Sequence, residues 1–146
     1  MVSNLNNFIS EYDFDEIKIN DEKVFQILIT EKLVDTFGNL SGDLNPLHMD
    51  DKYAKSTNFG RRICHGMLLS SFLSQLIGMH LPGKNALYLS QSINFTSPCF
   101  IGDLITVHGK VIDKSSSTKI ITVNTSIFNQ RKKKLVSGVA KVMVRK

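Results

Sequence analysis

The pattern of apolar residues changes abruptly near residue 82, and this change limits the folds open to the chain. Between Gly66 and Leu81, apolar side chains follow a helical spacing over a wide surface, which predicts a long helix surrounded by other structure. Pro82 and Gly83 end this helix. From residue 87 onward, apolar and polar residues alternate, which predicts four antiparallel strands. A long buried helix followed by such strands predicts an α+β architecture, in which a curved sheet wraps around the helix.

The segment before the long helix is predicted to contain a strand, a short helix and a loop. Residues 24–30 are rich in β-branched and apolar side chains, which favour a strand. Residues 31–37 predict a helix that ends at Gly38, because glycine suits the left-handed conformation that follows many helices. Residues 39–50 are rich in turn-forming residues and predict a loop that leads toward the long helix.

Length and composition indicate one soluble domain over residues 1–146, without repeats or linkers. The apolar runs fall short of the ~20 residues that a membrane span needs, so we expect no membrane partner. Residues 1–20 lack the basic and apolar regions of a secretory signal. The two cysteines form neither a metal-binding spacing nor a disulfide framework. These features predict a cytoplasmic protein.

The net charge of +5 raises the possibility of an anionic partner. The dense basic run at residues 131–134 lies between two alternating segments, which predicts a solvated hairpin turn. The alternative is a patch that meets the phosphates of an anionic ligand. Because the chain has no tryptophan and no aromatic residues interleaved with this run, base stacking lacks support. We therefore expect no nucleic-acid partner.

A carboxylate and an imidazole occur close together in the predicted loop. Asp43 and His48 are separated by Asn45-Pro46, and Pro46 keeps the residue before it out of helical geometry. A compact loop can bring both side chains to one point, where they would transfer protons. The alternative is a purely structural turn, but such a turn has no need of a histidine at this position. The whole string therefore favours catalysis.

Gly66 lies at the start of the long helix, where the first amides lack internal acceptors. Because glycine has no side chain, a ligand carbonyl can approach its N–H, which predicts an oxyanion site; the alternative is a helix entry that needs conformational freedom. His65 either holds the turn or contacts the substrate. Cys64 is predicted to be a small buried residue, and Ser74 has the alternative of bonding the carbonyl four residues back.

Together these residues resemble the signature of the MaoC-like (R)-specific enoyl-CoA hydratases. The resemblance covers residues 22–146 and leaves residues 1–20 as an N-terminal extension outside it. It rests on the following residues: Phe37, Ser41-Gly42-Asp43, Asn45-Pro46-Leu47-His48, Asp50, Tyr53-Ala54, Phe59-Gly60, Ile63, His65-Gly66-Met67, residues 87–91, Phe95, Pro98 and Gly102-Asp103.

The resemblance implies a hot-dog fold, usually a homodimer, that acts on coenzyme A thioesters without a metal. It implies that Asp43 and His48 are the catalytic pair and that the Gly66 N–H binds the thioester oxygen. It also implies that Ser74 supports the geometry on the aspartate side. The expected reaction is the reversible hydration of trans-2-enoyl-CoA to (R)-3-hydroxyacyl-CoA, with no cofactor other than the coenzyme A that the substrate carries.

Asn45 and His65 complete the predicted site as substrate-binding residues. Three other functions stay open at this point. A 3-hydroxyacyl-[acyl-carrier-protein] dehydratase would use the same chemistry on a carrier-bound substrate. A hot-dog thioesterase fits the Asp–His string less well, and a non-catalytic acyl-thioester-binding domain would not need both side chains.

Overall fold

The computed structural model describes residues 9–146 as a curved antiparallel sheet that surrounds a central helix. The strands are β1 (Glu22–Leu28), β2 (Ala86–Gln91), β3 (Asn94–Phe95), β4 (Leu104–Ser115), β5 (Ile120–Phe128) and β6 (Lys134–Val144). The α-helices are α1 (Glu31–Ser41), α2 (Pro46–Met49), α3 (Asp51–Lys55) and α4 (Gly66–Gln75). The sheet order is β1-β4-β5-β6-β2, and β3 also pairs with β6. The predicted α+β architecture is therefore confirmed.

The alternation along the later strands does place apolar residues on one buried face. Over residues 105–111 of β4 and 136–144 of β6 every second residue is buried, because one face of the sheet packs on the central helix. Strand β5, between them in the sheet, is buried along most of its length. The residues that form this face include Ile105, Val107, Val111, Ile121, Val123, Ile127, Val136, Ala140 and Val142.

The central helix has the predicted extent but not a uniform geometry. The α-helical part ends at Gln75, and Leu76–His80 continue it as a π-helical turn. Leu76 is fully buried against Gly109 of β4, where an added Cβ would lie 2.7 Å from Leu76 Cδ2. The glycine therefore provides the space that lets the helix approach the sheet.

Helix α1 is longer than predicted, because Gly38 is not its end. The helix continues to Ser41, and Gly42, with a φ of 80°, provides the left-handed cap. At Gly38 an added Cβ would lie 2.6 Å from Met49 Sδ. This glycine is needed for the close packing of α1 on α2, and not for backbone conformation.

The predicted loop over residues 39–50 also contains a helical turn. Helix α2 occupies four residues of it and begins with Pro46. The Asn45 side-chain oxygen accepts a hydrogen bond from the Leu47 N–H at 3.0 Å and so caps this turn. His48 therefore projects from a short helix, while Asp43 lies in the loop before it.

The described part of the N-terminal extension packs on the sheet. Phe14 and Ile17 are buried in a second apolar cluster together with residues of β4, β5 and β6. Lys114 of β4 donates hydrogen bonds to the carbonyl oxygens of Phe14, at 2.9 Å, and of Ile17. Among residues 9–146, no helix has the length and apolar character that crossing a membrane requires.

Candidate active site

A cavity of about 460 Å³ opens beside the first turn of α4 and contains side chains from both sequence motifs. This volume lies within the range of small-molecule sites. Its walls come from the loop before α2, the start of α4 and the segment after β3. The lining residues are Asp43, His48, Phe59, Ile63, Cys64, His65, Gly66, Met67, Leu69, Phe95, Thr96, Ser97, Pro98 and Cys99.

Asp43 and His48 converge in this cavity. One carboxylate oxygen of Asp43 and one ring nitrogen each of His48 and His65 all lie within 4.8 Å of one another. Asp43 is exposed, His48 is half-buried and His65 is buried. A single water between the Asp43 carboxylate and the His48 imidazole would be in contact with both.

The hydrogen bonds of His48 define which of its nitrogens can accept a proton. Nδ1 lies 2.8 Å from the carbonyl oxygen of Ile63, and a carbonyl can only accept. Nδ1 therefore carries the proton in the neutral ring, and Nε2 carries the lone pair. This tautomer is the one that a general base needs.

His65 lies beneath the loop and supports both members of the pair. Its Nε2 lies 2.9 Å from the backbone carbonyl of Asp43, and its ring stacks on that of His48 with centroids 4.1 Å apart. Burial is the main cause that lowers the pKa of His65, and the nearby His48 lowers it further. Neutral His65 thus donates from Nε2 to the Asp43 backbone. His65 also lines the cavity, so its predicted contact with the substrate stays a prediction.

Gly66 begins α4 at the wall of the cavity. His65 is the N-cap residue of this helix, but its side chain makes no capping hydrogen bond. It therefore does not use the first backbone N–H groups of the helix, which lack acceptors within it. An added Cβ on Gly66 would lie 2.7 Å from Cε1 of Phe95, whose ring covers this position. The glycine therefore allows the apolar ring and the helix amide to border the same space.

Asn45 and Ser74 do not line the cavity of this chain. Asn45 is used to cap α2. Ser74 lies on the exposed side of α4, in a second groove that also includes Met67, Tyr88 and Gln91. Because Met67 lines both the cavity and this groove, the two spaces adjoin. Their predicted contacts with substrate and with the aspartate side stay predictions.

Two buried thiols form part of the cavity wall. Cys64 and Cys99 are free and buried, and the Cys64 N–H donates to the Cys99 carbonyl at 2.7 Å. A hydrogen bond to Cys64 and burial raise the pKa of the Cys99 thiol. Cys64 is therefore the small buried residue that the sequence predicted.

The sequence pattern did not indicate that Arg62 and the ring of Phe95 belong to the surroundings of the site. Arg62 is buried behind the cavity, whereas its neighbour Arg61 is exposed and lies over the ring of Phe100 at 4.2 Å. Two adjacent arginines look alike in a single sequence, so no local pattern indicates which is buried. Phe95 was noticed only as part of the sheet, because its contact with Gly66 joins distant segments.

The three converging side chains also form a donor set that suits a divalent metal ion. One nitrogen of each histidine already faces a backbone carbonyl. A metal would have to use His48 Nε2 and His65 Nδ1, and the latter is buried without a hydrogen-bond partner in residues 9–146. Function without a metal therefore stays a prediction that chelation can test.

Comparison with known proteins places this cavity inside a matched domain. Residues 14–131, which include every cavity-lining residue, match the family model described as a MaoC like domain. The chain is 45% identical over 109 residues to the (R)-specific enoyl-CoA hydratase of Aeromonas caviae, covering 75% of this chain and 81% of that protein. It is 37% identical over 131 residues to the (R)-specific enoyl-CoA hydratase of Rhodospirillum rubrum, covering 90% of each.

A solved structure gives the same picture at the level of the fold. The unliganded R-hydratase PhaJ1 from Pseudomonas aeruginosa superposes on this chain with a TM-score of 0.90. The two are 34% identical, and the match covers 93% of this chain and 87% of that one. The curved sheet and its central helix are therefore shared with that enzyme.

Proposed function

We propose that this chain, which belongs to the MaoC-like domain family, hydrates trans-2-enoyl-CoA to (R)-3-hydroxyacyl-CoA and catalyses the reverse dehydration. It is a hydro-lyase with the hot-dog fold. The observation that supports this most directly is the convergence of the Asp43 carboxylate and the His48 imidazole beside the amide end of α4. The (R) product is the one that the names of the relatives indicate.

In this reaction the thioester oxygen must be stabilised as negative charge develops on it. Adding hydroxide to C3 of the enoyl group moves electrons onto the thioester carbonyl, which becomes an enolate oxygen. Gly66 lines the cavity at the start of α4, where the first N–H groups lack internal acceptors and the helix dipole favours negative charge. One such donor contributes about 3 kcal/mol to transition-state stabilisation.

The hydration requires one group that accepts a proton from water and one group that donates a proton to C2. Asp43 and His48 hold the water, and the pair removes a proton from it as its oxygen bonds to C3. The same pair returns a proton to C2, so the enzyme ends the cycle unchanged. His48 Nε2 has the lone pair that this transfer requires, because Nδ1 is bonded to the Ile63 carbonyl.

The first prediction concerns this activity itself. Purified protein is expected to remove the conjugated-thioester absorbance of crotonyl-CoA, and chiral analysis is expected to give (R)-3-hydroxybutyryl-CoA. The D43N/H48Q double variant serves as the blank. A wild-type rate no higher than that of the double variant would contradict the proposal. Release of free thiol would instead indicate a thioesterase.

The same assay can compare coenzyme A with acyl carrier protein as the carrier of the substrate. The basic run forms the turn between β5 and β6, as predicted. This turn adjoins the cavity, because the Thr96 hydroxyl donates to the Lys134 carbonyl at 2.7 Å and Thr96 lines the cavity. Both the phosphates of coenzyme A and an acidic carrier suit such a position. We expect the higher kcat/KM with the coenzyme A thioester.

We also propose that the protein acts in the reducing cytoplasm and without a metal or organic cofactor. The free, buried state of both cysteines fits a reducing compartment. The proposed chemistry uses only a carboxylate, an imidazole and a backbone amide. Dialysis against EDTA in the crotonyl-CoA assay should therefore leave kcat unchanged, whereas a loss that added zinc restores would contradict the cofactor-free proposal.

The substrate-binding unit is proposed to be a homodimer formed along β2. This strand lies at the end of the sheet order, and its outer edge has no partner strand within residues 9–146. Leu87 and Leu89 on β2 are 47% and 46% exposed. An exposed apolar edge strand is a template for pairing with another chain. A second chain there would also cover the groove that contains Ser74, since Tyr88 and Gln91 of β2 line it.

A second prediction tests this dimer. The wild-type protein is expected to sediment at twice the mass of one chain. Leu89→Lys is expected to shift it to the monomer, because the change replaces an apolar side chain with a charged one on each of the two paired edges. Val24→Lys is the matched control, since Val24 is 57% exposed on β1 at the opposite edge of the sheet. A monomeric wild-type protein, or a dimer that Leu89→Lys leaves intact, would contradict the proposal.

A further inference from the structure

Arg62 is a buried arginine that joins three separate parts of the chain. Its side chain is only 3% exposed. The guanidinium Nε donates to the backbone carbonyl of His48 at 2.5 Å. Nη1 donates to Glu31 at 3.1 Å and Nη2 to Asp35 at 2.5 Å, both on α1. One side chain thus links α1 to the residue that carries the imidazole of the candidate site.

The ion pairs alone do not account for the burial of this guanidinium. Glu31 and Asp35 are four residues apart on one face of α1, and their side chains are 64% and 46% exposed. Carboxylates this exposed could also pair with an arginine at the surface, so these two ion pairs do not require the guanidinium to be buried. Removing an arginine from water is costly unless its donors are all satisfied. The bond that requires the buried position is the one from Nε to the His48 carbonyl.

Helix α2 depends on such external contacts, because a single helical turn is not stable alone. Residues 62–63 provide three of them. The Ile63 N–H donates to the Leu47 carbonyl at 3.3 Å, and the Ile63 carbonyl accepts from His48 Nδ1 at 2.8 Å. Arg62 Nε holds the His48 carbonyl. The backbone and the ring of His48 are therefore fixed from the same short segment.

We propose that Arg62 is a positioning residue for the hydration reaction: by holding the His48 backbone against α1, it keeps Nε2 directed at the water shared with Asp43. This inference rests on the proposed function and assigns it a residue that does not touch the substrate. The Ile63 carbonyl fixes the rotation of the imidazole, and Arg62 fixes where the imidazole is attached. Without Arg62, α2 loses its link to α1, so the bond from His48 Nδ1 to the Ile63 carbonyl weakens and α2 shifts relative to the Asp43 loop.

The third prediction compares Arg62→Met with a control of similar chemistry. Since a displacement of roughly 1 Å can cost about 100-fold in rate, Arg62→Met is expected to lower kcat by about 30- to 100-fold and to leave KM for crotonyl-CoA within about twofold. Lys114→Met removes another partly buried cation that donates to backbone carbonyls, but these carbonyls belong to Phe14 and Ile17 and not to α2. It is expected to lower the melting temperature while kcat stays within about twofold.

Arg62→Lys separates geometry from charge. Lysine retains the positive charge but lacks the planar fork that reaches three acceptors at once, so we expect a kcat still about tenfold below the wild type. An Arg62→Met protein with kcat within twofold of the wild type would overturn the inference. If Arg62→Met does not fold, the Arg62→Lys variant decides, since lysine keeps the positive charge but loses the fork that holds the His48 carbonyl. A lower kcat at unchanged KM supports the inference, and an unchanged kcat overturns it.

Nuclear magnetic resonance of ¹⁵N-labelled histidine distinguishes failure of this inference from failure of the proposed function. In the wild-type protein the Nδ1–H of His48 is expected to be protected from exchange by the Ile63 carbonyl. In Arg62→Lys this signal is expected to move and to exchange faster, whether or not the protein hydrates a thioester. A wild-type protein inactive on every thioester would refute the proposed function only. An unchanged His48 signal in Arg62→Lys would refute the role of Arg62.

Discussion

Replacing His48 with glutamine is expected to reduce kcat for crotonyl-CoA hydration by about 1,000-fold, in line with the contribution of a positioned general base. Glutamine keeps a donor that can reach the Ile63 carbonyl, which accepts from His48 Nδ1 at 2.8 Å in the wild type. It cannot, however, take a proton from water at neutral pH. The variant should therefore fold like the wild type and bind the thioester, while its rate of proton transfer is lost.

His108→Gln is the matched control for this measurement. His108 lies on β4 with Nε2 at 3.6 Å from a carboxylate oxygen of Glu22 and is not part of the cavity. Its replacement should leave kcat within about twofold, because His108 lies outside the cavity and its 3.6 Å contact with Glu22 does not reach the site. Circular dichroism and thermal unfolding of both variants check that the fold is retained. A His48→Gln protein with kcat within tenfold of the wild type would exclude His48 as the base.

The strands and the central helix were predictable from the sequence because both depend on local periodicity. A sheet with one face on a helix requires a repeat of two residues, and residues 105–111 of β4 and 136–144 of β6 display it. The site string was predictable for a related reason. Pro46 and the Asn45 cap determine the local turn, and this turn brings Asp43 and His48 within 4.8 Å.

Features that depend on contacts between distant segments were not predictable. Gly38 was taken as a helix end, but its partner is Met49, which determines that the glycine lies inside α1. Arg62 bonds to Glu31 and Asp35, about 30 residues earlier in the chain, and to the His48 carbonyl, 14 residues earlier. The π-helical turn at Leu76–His80 leaves the apolar pattern almost unchanged, so periodicity does not reveal it.

Replacing Asp43 with asparagine is expected to lower kcat by about 1,000-fold as well, because the carboxylate is the other group that contacts the shared water. The substitution preserves the local structure. The Asp43 side-chain oxygen accepts from the Asn45 N–H at 3.2 Å, and an amide oxygen can do the same. The backbone carbonyl still accepts from His65 Nε2. The loss is therefore expected in kcat, with unchanged thermal stability.

The D43N/H48Q double variant tests whether both groups act on one water. Groups that work as a unit show non-additive effects, so the double variant should be only slightly slower than either single variant. Independent roles would instead multiply the two losses. Asp51→Asn provides the control for the charge change, since Asp51 is exposed on α3 and does not line the cavity. If Asp51→Asn slowed hydration as much as Asp43→Asn, the effect would come from net charge and not from a carboxylate at the water.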